Sequence, residues 1–369
     1  GYELGPFKRN LDENPDVRYD YRKLVAQYIL NNFYRQFTEV AHQFGAFSRV
    51  QCHGSLTDLL AAYGSADVPE SEAMLFEPKF SRFASSAAAL SGKNIVSAES
   101  FTCIYGFNPA LYKKQEQVAD LKLVADSLFA NGVNHIIWHG MPFNESGESK
   151  NEFYATVHVG PDSSFSGELK DFNKYLEIVS RYLRTGKTTA DILVYVPLED
   201  SWMKGKYPLN LIRPGGVNYF DLRHQTLPQE LDGYSSLWVS EQFLKNAKAS
   251  NGKFELNDLE FKALYLNSEY LDIEALNKIL YLGNSGLSIV LKKIPKEPGK
   301  IKHKDYFRKV QSLASLSNVV TSISDVPNVS KVICGKKIPE YFIRKVDDSF
   351  LIFLANPKTL SIHYPLSYG

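Results

Sequence analysis

Asn94-Ile95-Val96-Ser97-Ala98-Glu99-Ser100-Phe101 decides the fold. Ile95, Val96 and Ala98 make an apolar run too short for a helix, and Gly92 stands just before it. Glu99 then emerges where the run stops. A carboxylate at the end of a buried strand is where barrel enzymes place their chemistry. The question is what surrounds that strand.

Upstream, Phe80, Phe83, Ala84, Ala87 and Leu90 recur at helical spacing and predict a helix closed by Gly92. Ala73-Met74-Leu75-Phe76 reads as a short strand, and the acidic stretch Ser65 to Glu72 before it as a loop. Ser55, with Asp58 three residues on, predicts a capped helix running to Gly64. Ala46 to Cys52 reads as a strand. Leu24, Tyr28, Ile29, Phe33, Phe37 and Val40 predict a long amphipathic helix between Tyr19 and Phe44. Downstream, Val118 to Leu128 predicts a helix stopped by Gly132, and Val133 to Trp138 a strand ending at His139-Gly140.

Strand and helix thus alternate over the first part of the chain, which implies a parallel sheet, open or closed. In either case ligands sit at the C-terminal strand ends. A closed barrel takes about eight strands and this block supplies about four, so it reads as the second half of a (β/α)8 barrel or as a small open sheet. Residues 144–167 read as a long polar loop, followed by a helix from Leu169 to Leu183. A second alternating block begins at Asp191-Ile192-Leu193-Val194-Tyr195-Val196 and continues through Phe261 to Leu266 and Leu287 to Leu291. It predicts an open three-layer α/β domain. Without Gly-x-Gly-x-x-Gly after a strand, it lacks the dinucleotide signature. Tyr341 to Lys345 and Phe350 to Leu354 flank Val346-Asp347-Asp348-Ser349 as a hairpin, the start of a β-rich domain. The expected domains are 1–165, 166–335 and 336–369.

Composition narrows the function. Lys+Arg 42 against Asp+Glu 41 leaves a net charge of +1, which argues against nucleic-acid or membrane-surface partners. Hydrophobic residues at 44% and charged residues at 22% describe a globular chain. Aromatics at 13% suit sugar-stacking surfaces as well as ordinary packing. Cys52, Cys103 and Cys334 fit neither a zinc site nor a disulfide framework. Gly1-Tyr2-Glu3-Leu4-Gly5-Pro6 does not read as a signal peptide but as a cut inside a longer chain.

Glycosidic cleavage commonly uses two carboxyl groups, one protonating the leaving oxygen and one acting as nucleophile or activating water. Glu70 and Glu99 are the candidates, with Glu72 the rival for the first position. All three read equally as solvated loop glutamates. Arg49, Gln51 and His53 alternate along one strand and so share a face. They contact substrate or pair with one another. Trp138 and His139 stand at a strand end, where histidine can bind a hydroxyl, tune a carboxylate or satisfy a backbone group. Asp67, Glu70 and Glu72 offer oxygen ligands of the calcium type without EF-hand spacing.

Arg49 to Gly54, Ala66 to Glu72, Val96 to Thr102 and Gly132 to Gly140 occur in that order, and together they resemble the later part of the catalytic barrel in glycoside hydrolase family 106, the α-L-rhamnosidases. The likeness covers roughly residues 20–145. Asp191 to Pro197, Trp238 to Phe243 and Phe261 to Leu291 are similar to the flavodoxin-like (glutamine-amidotransferase-like) domain that follows the barrel in several large glycosidases. The hairpin looks like the start of the β-sandwich that comes next. The resemblance implies an inverting hydrolase with Glu70 and Glu99 as its carboxylates and a calcium ion near the substrate. It also implies an exported bacterial parent acting on oligosaccharide or polysaccharide. A half barrel leaves strand edges and apolar faces uncovered, which predicts a homo-oligomer, or a piece inactive by itself. Two other readings stand beside this one. One is a barrel that binds carbohydrate without cutting it, and the other a structural module for assembly.

Overall fold

The computed structural model describes residues 11–73, 77–105, 115–141, 157–206, 222–250 and 253–355. Met74, Leu75 and Phe76, the segment 142–156 and the extreme N-terminus lie outside the described residues.

The chain opens with α1 (Pro15–Ile29), a π-helical turn (Leu30–Arg35) and α2 (Gln36–Gln43). Asn14 caps α1 by accepting the Val17 N–H at 3.3 Å. The predicted helix is present, but its apolar stripe points outward. Leu24, Tyr28, Phe33, Phe37 and Val40 are exposed, whereas Arg18, Tyr19, Arg22, Ala26, Leu30 and Tyr34 are buried. The five-residue step from Tyr28 to Phe33 would break an α-helical stripe. The π turn, with its extra residue, absorbs it. The buried polar residues find partners: Arg22 donates to the Ser201 carbonyl at 3.1 Å, Tyr19 donates to Asp272 at 2.7 Å, and Arg18 Nη1 donates to the Leu11 carbonyl at 2.6 Å.

There follow β1 (Arg49–Gln51), α3 (Leu59–Ser65), β2 (Val68–Ala73), α4 (Ser81–Leu90), β3 (Ser97–Ser100), α5 (Val118–Ala130), β4 (His135–Trp138) and α6 (Leu169–Leu183). The cap of α3 is Asp58, which accepts the Ala61 N–H, rather than Ser55. The strands form one parallel sheet in the order β1-β2-β3-β4. The acidic stretch expected as a loop is β2 itself. Its alternation decides this: Val68, Glu70 and Glu72 share one face, while Ser71 and Ala73 face α4, where Ser71 meets the Ser81 hydroxyl at 2.9 Å. Glu99 likewise lies within β3 rather than beyond it.

The second block contains β5 (Lys187–Thr188), β6 (Ile192–Tyr195), α7 (Leu198–Met203), β7 (Ser236–Val239), α8 (Glu241–Leu244), the antiparallel β8 (Lys248–Ser250), β9 (Lys253–Leu256) and β10 (Leu259–Phe261), then β11 (Ala263–Leu266), α9 (Ile273–Asn284), β12 (Ser288–Leu291), α10 (Tyr306–Ala314) and β13 (Val319–Val320). Five of these strands form a parallel sheet ordered β13-β12-β11-β6-β7. Finally β14 (Glu340–Val346) and β15 (Ser349–Ala355) make the expected hairpin, and β14 also pairs with β5.

The two parallel sheets share α4. Its small residues, Ser-Arg-Phe-Ala-Ser-Ser-Ala-Ala-Ala-Leu, let backbone approach from both sides. Phe83 stacks on Trp238 with ring centroids 5.2 Å apart, and Ser86 accepts the Trp238 N–H at 3.0 Å. One apolar core therefore runs from the first sheet into the second. Among the described residues no helix is long and apolar enough to cross a membrane.

Candidate active site

Parallel register places side chains in rows across the first sheet. Gln51 pairs with Glu70, Glu70 with Ser97, and Ser97 with His135. One step toward the C-terminal ends, Glu72 pairs with Glu99 and Glu99 with Ile137. Paired residues of neighbouring strands point to one face, so this face of the sheet is polar along its length.

The polar groups satisfy one another. Gln51 Nε2 donates to Glu99 Oε2 at 2.7 Å and lies 3.2 Å from Glu70 Oε1. Arg49 Nε pairs with Glu70 Oε2 at 2.9 Å, and the Ser97 hydroxyl donates to that oxygen at 2.8 Å. Glu70 thus receives three donors, and its side chain is only 8% exposed. Glu99 is different. Its side chain is 26% exposed, with His139 Nδ1 3.1 Å from Oε1 and the Thr102 hydroxyl donating to the same oxygen at 2.8 Å. Thr102 also lies 3.0 Å from His139 Nδ1. Glu72 is beside Glu99 in register and 1% exposed. His53 lies near Glu99 and Arg223; burial above all, with Arg223 adding to it against the pull of Glu99, lowers its pKa to about 4. At neutral pH it is an uncharged hydrogen-bonding group.

Thr102 reaches back to Glu99 because the chain turns sharply after β3. Phe101 has φ +76°, a left-handed conformation that costs a non-glycine residue about 1–3 kcal/mol. Packing holds it there. The Phe101 ring is fully buried, 4.7 Å from Trp138 and 6.3 Å from Phe172 on α6. Trp138 therefore stands on the face opposite the carboxylates, stacked on Phe165 at 6.0 Å, and its indole donates to Asn173 at 3.1 Å. Singled out as a candidate substrate contact, it packs here as the support beneath the turn.

Of the eight residues singled out in the sequence, Arg49, Gln51, Glu70, Glu99 and His139 form one connected network. His53 and Glu72 adjoin it, and Trp138 does not. Sequence reasoning missed Ser97, Thr102 and Arg223. Thr102 follows Glu99 by three residues and carried a local signal. Arg223 comes from the second block, and nothing in its surroundings pointed to it.

The calcium expectation meets a different arrangement. Asp67 turns away from Glu70 and Glu72: it accepts from the Ser48 N–H at 2.8 Å and lies 2.9 Å from His42 Nε2. These donors hold its carboxyl below the usual range even though burial pushes the other way. Among the described residues no group of three or more His, Cys, Asp or Glu is placed to hold a metal ion. Asp67, Glu70 and Glu72, the donors expected for calcium, do not converge on one site.

The architecture has close counterparts. It superposes with a TM-score of 0.70 on the rhamnosidase from Novosphingobium sp. PP1Y, at 18% identity, over 92% of this chain and 34% of that one. It superposes with a TM-score of 0.56 on an exo-carrageenase from Bacteroides ovatus, at 11% identity, over 91% of this chain and 49% of that one. A curated protein of Formosa agariphila, named provisionally as a beta-glucuronidase, is 24% identical over 92% of this chain and 29% of its own length. The chain spans about a third of the first rhamnosidase and of the curated relative. The family model described as alpha-L-rhamnosidase matches residues 8–342, and on that extent the chain belongs to glycoside hydrolase family 106.

Proposed function

We propose that this chain supplies the acidic wall of a glycosidase active site, with Glu99 as the carboxylate that reacts with the sugar and Glu70 as the group that positions it. One observation carries the reading: Gln51 Nε2 binds Glu70 and Glu99 at once. Glu70 is filled by Arg49, Ser97 and Gln51, while the Glu99 side chain, held by Gln51, Thr102 and His139, stays 26% exposed. The spacing supports this division of labour. Inverting enzymes keep their two carboxyl groups roughly 6.5–9.5 Å apart to admit a water. The two oxygens that share one amide nitrogen are closer than that. On the inverting chemistry that the family resemblance implies, the carboxylate opposing Glu99 is a different residue and Glu99 is the acid that protonates the leaving oxygen; a retaining outcome would instead make Glu70 its partner, since retaining pairs stand roughly 5–5.5 Å apart.

In this reading β1 to β4 are half of a (β/α)8 barrel. Four parallel strands in sequential order, with carboxylates toward their C-terminal ends, support it. So do the edge strand β1 and the uncovered apolar stripe of α1 and α2 beside it. The second block, whose five-stranded order reads 2-1-3-4-5 by position in the chain, is flavodoxin-like. The hairpin begins a β-rich domain. Because α6 packs on β4 through Phe172 and Trp138, the first domain runs to Leu183 rather than to residue 165. The substrate is a glycan ending in rhamnose or a related deoxy-sugar, met outside the cell by an exported bacterial parent. The test is hydrolysis of an aryl α-L-rhamnoside by a full-length protein carrying this chain. Glu99→Gln lowers kcat at least about a hundredfold, as loss of general-acid catalysis does. An unchanged rate overturns the assignment.

A further inference from the structure

The chain's positive charge is concentrated in one place. Between residues 292 and 309 stand eight Lys and Arg against two acids, in a chain whose net charge is +1. The stretch comprises the loop after β12 and the start of α10. Several of its cations are neutralised: Lys292 pairs with Glu230, Lys296 with Glu269, Lys302 with Asp16 and Lys309 with Asp305. Lys293, Lys300, Lys304 and Arg308 are exposed and make no side-chain hydrogen bond or close ion pair among the described residues, although Lys293 acts on Asp200 and Arg308 on Asp305 at longer range. Between them, Ile294, Ile301 and Phe307 are exposed at 59%, 75% and 68%. A merely solvated lysine loop does not need three large apolar groups on its outer surface. A loop that lies against a ligand of alternating charge and apolar faces does.

Its place in the fold gives the same direction. The loop leaves the C-terminal end of β12. It is tied to the N-terminal end of α1, with Lys302 Nζ 3.2 Å from Asp16 and the Lys300 N–H donating to Asp20 at 3.0 Å. After β1, Gly54 to Thr57 share a small cavity with Leu198 and Trp202 of α7, which follows β6. The C-terminal ends of the two parallel sheets therefore meet, and the basic loop lies on the side of the molecule where Glu99 emerges.

We propose that the surface made by loop 292–305 and the first turn of α10 binds the chain of an anionic polysaccharide, one bearing carboxylate or sulfate groups, beside the cleavage site. Lys293, Lys300, Lys304 and Arg308 meet the anions, and Phe307 with Ile294 and Ile301 covers the apolar faces of the sugar rings. That the partner is a glycan rests on the glycosidase reading; the surface itself does not depend on Glu99.

Affinity electrophoresis of the chain at low salt tests it, with polygalacturonate as the carboxylate probe, dextran sulfate as the sulfate probe and plain dextran as the neutral one. One or both anionic polymers retard the chain and dextran does not, and added salt abolishes the effect. Reversing Lys293, Lys300, Lys304 and Arg308 to Glu weakens retardation at least about tenfold. The neutral set Lys293→Gln, Lys300→Gln, Lys304→Gln and Arg308→Gln carries the comparison should the reversed set not fold. Phe307→Ala, which leaves the charge alone, weakens it several-fold. Equal loss on reversing Lys170, Lys174, Lys248 and Lys336, which lie elsewhere, would show a net-charge effect and overturn the proposal. Competition by duplex DNA as strong as by either polysaccharide also overturns it. Hydrolysis of a small aryl rhamnoside by the full-length protein without retardation of the chain defeats this proposal alone, and retardation of the chain without hydrolysis by the full-length protein defeats the glycosidase reading alone.

Discussion

Gln51 Nε2 lies 2.7 Å from Glu99 Oε2 while also reaching Glu70 Oε1 at 3.2 Å, so one neutral amide holds two carboxylates side by side. Without it, two like charges would face each other across neighbouring strands, which raises the energy of the ionised pair. Gln51→Leu removes both donated bonds. The expected cost is roughly 1–3 kcal/mol of stability, from leaving buried acceptors unsatisfied, read by urea denaturation. In a full-length protein, kcat falls while KM changes little, because the amide orients Glu99 rather than gripping sugar.

Glu199 makes folding stability fall as pH rises from about 4.5 to about 8. It is buried in the first turn of α7, where Tyr195 donates to Oε1 at 2.7 Å and Oε2 has no hydrogen-bond partner among the described residues. Burial raises its pKa from 4.5 to about 8. A raised carboxyl pKa gives stability that is full below the ordinary value and is lost as pH rises toward and through the raised one. Denaturation from pH 5 to pH 9 will show that loss. Glu199→Gln, which cannot ionise, flattens it and is more stable than wild type at pH 9 by roughly 2–4 kcal/mol.

The exposed stripe of α1 and α2 predicts self-association. Phe33, Phe37 and Phe44 stand on it with Leu24 and Tyr28, forming an apolar band along nearly the whole helical segment. Patches of this kind mark interaction sites. Sedimentation of the isolated chain should reveal concentration-dependent oligomers. Phe33→Lys with Phe37→Glu should give monomer, with stability within about 0.5 kcal/mol of wild type, as for surface positions. A monomeric wild type rejects the prediction.

Gly186 fastens the C-terminal hairpin. It has φ +70°, and a Cβ there would collide with the Lys345 carbonyl on β14. Gly186→Ala should cost more than about 2 kcal/mol, since strain and backbone collision add. Amide exchange should locate the loosening at β5 and β14.

The fold was legible wherever apolar periodicity and burial agree. The helices from Ser81, Val118 and Leu169 and the hairpin around Asp347-Asp348 stand where the spacing put them; β3 begins later than the apolar run and takes Glu99 into it. Legibility failed in two places, for one physical reason. β2 carries Glu70 and Glu72 on an inward polar face, so its alternation of acids mimics a loop. The α1 stripe is apolar yet faces outward, while Arg18, Arg22 and Tyr19 are buried through hydrogen bonds that no periodicity reveals. Hydrophobicity stands in for burial only where polar groups lack partners. The site followed the same rule. Arg49 and Gln51 were readable as one face of a strand, whereas His53, expected on that same face, lies in the turn beyond β1. The face that Trp138 takes was not legible, because a residue at a strand end falls on either face with a one-residue change of register.

The account turns on Glu99 being the residue that meets the glycosidic oxygen. The most direct measurement is a crystal structure of a full-length Glu99→Gln protein holding an uncleaved rhamnoside. The account predicts the amide of residue 99 within about 3 Å of the glycosidic oxygen, with Glu70 still bound to Arg49 and Gln51 and away from the sugar. A glycosidic oxygen resting against Glu70, or a sugar seated on the Trp138 face of the sheet, would contradict it.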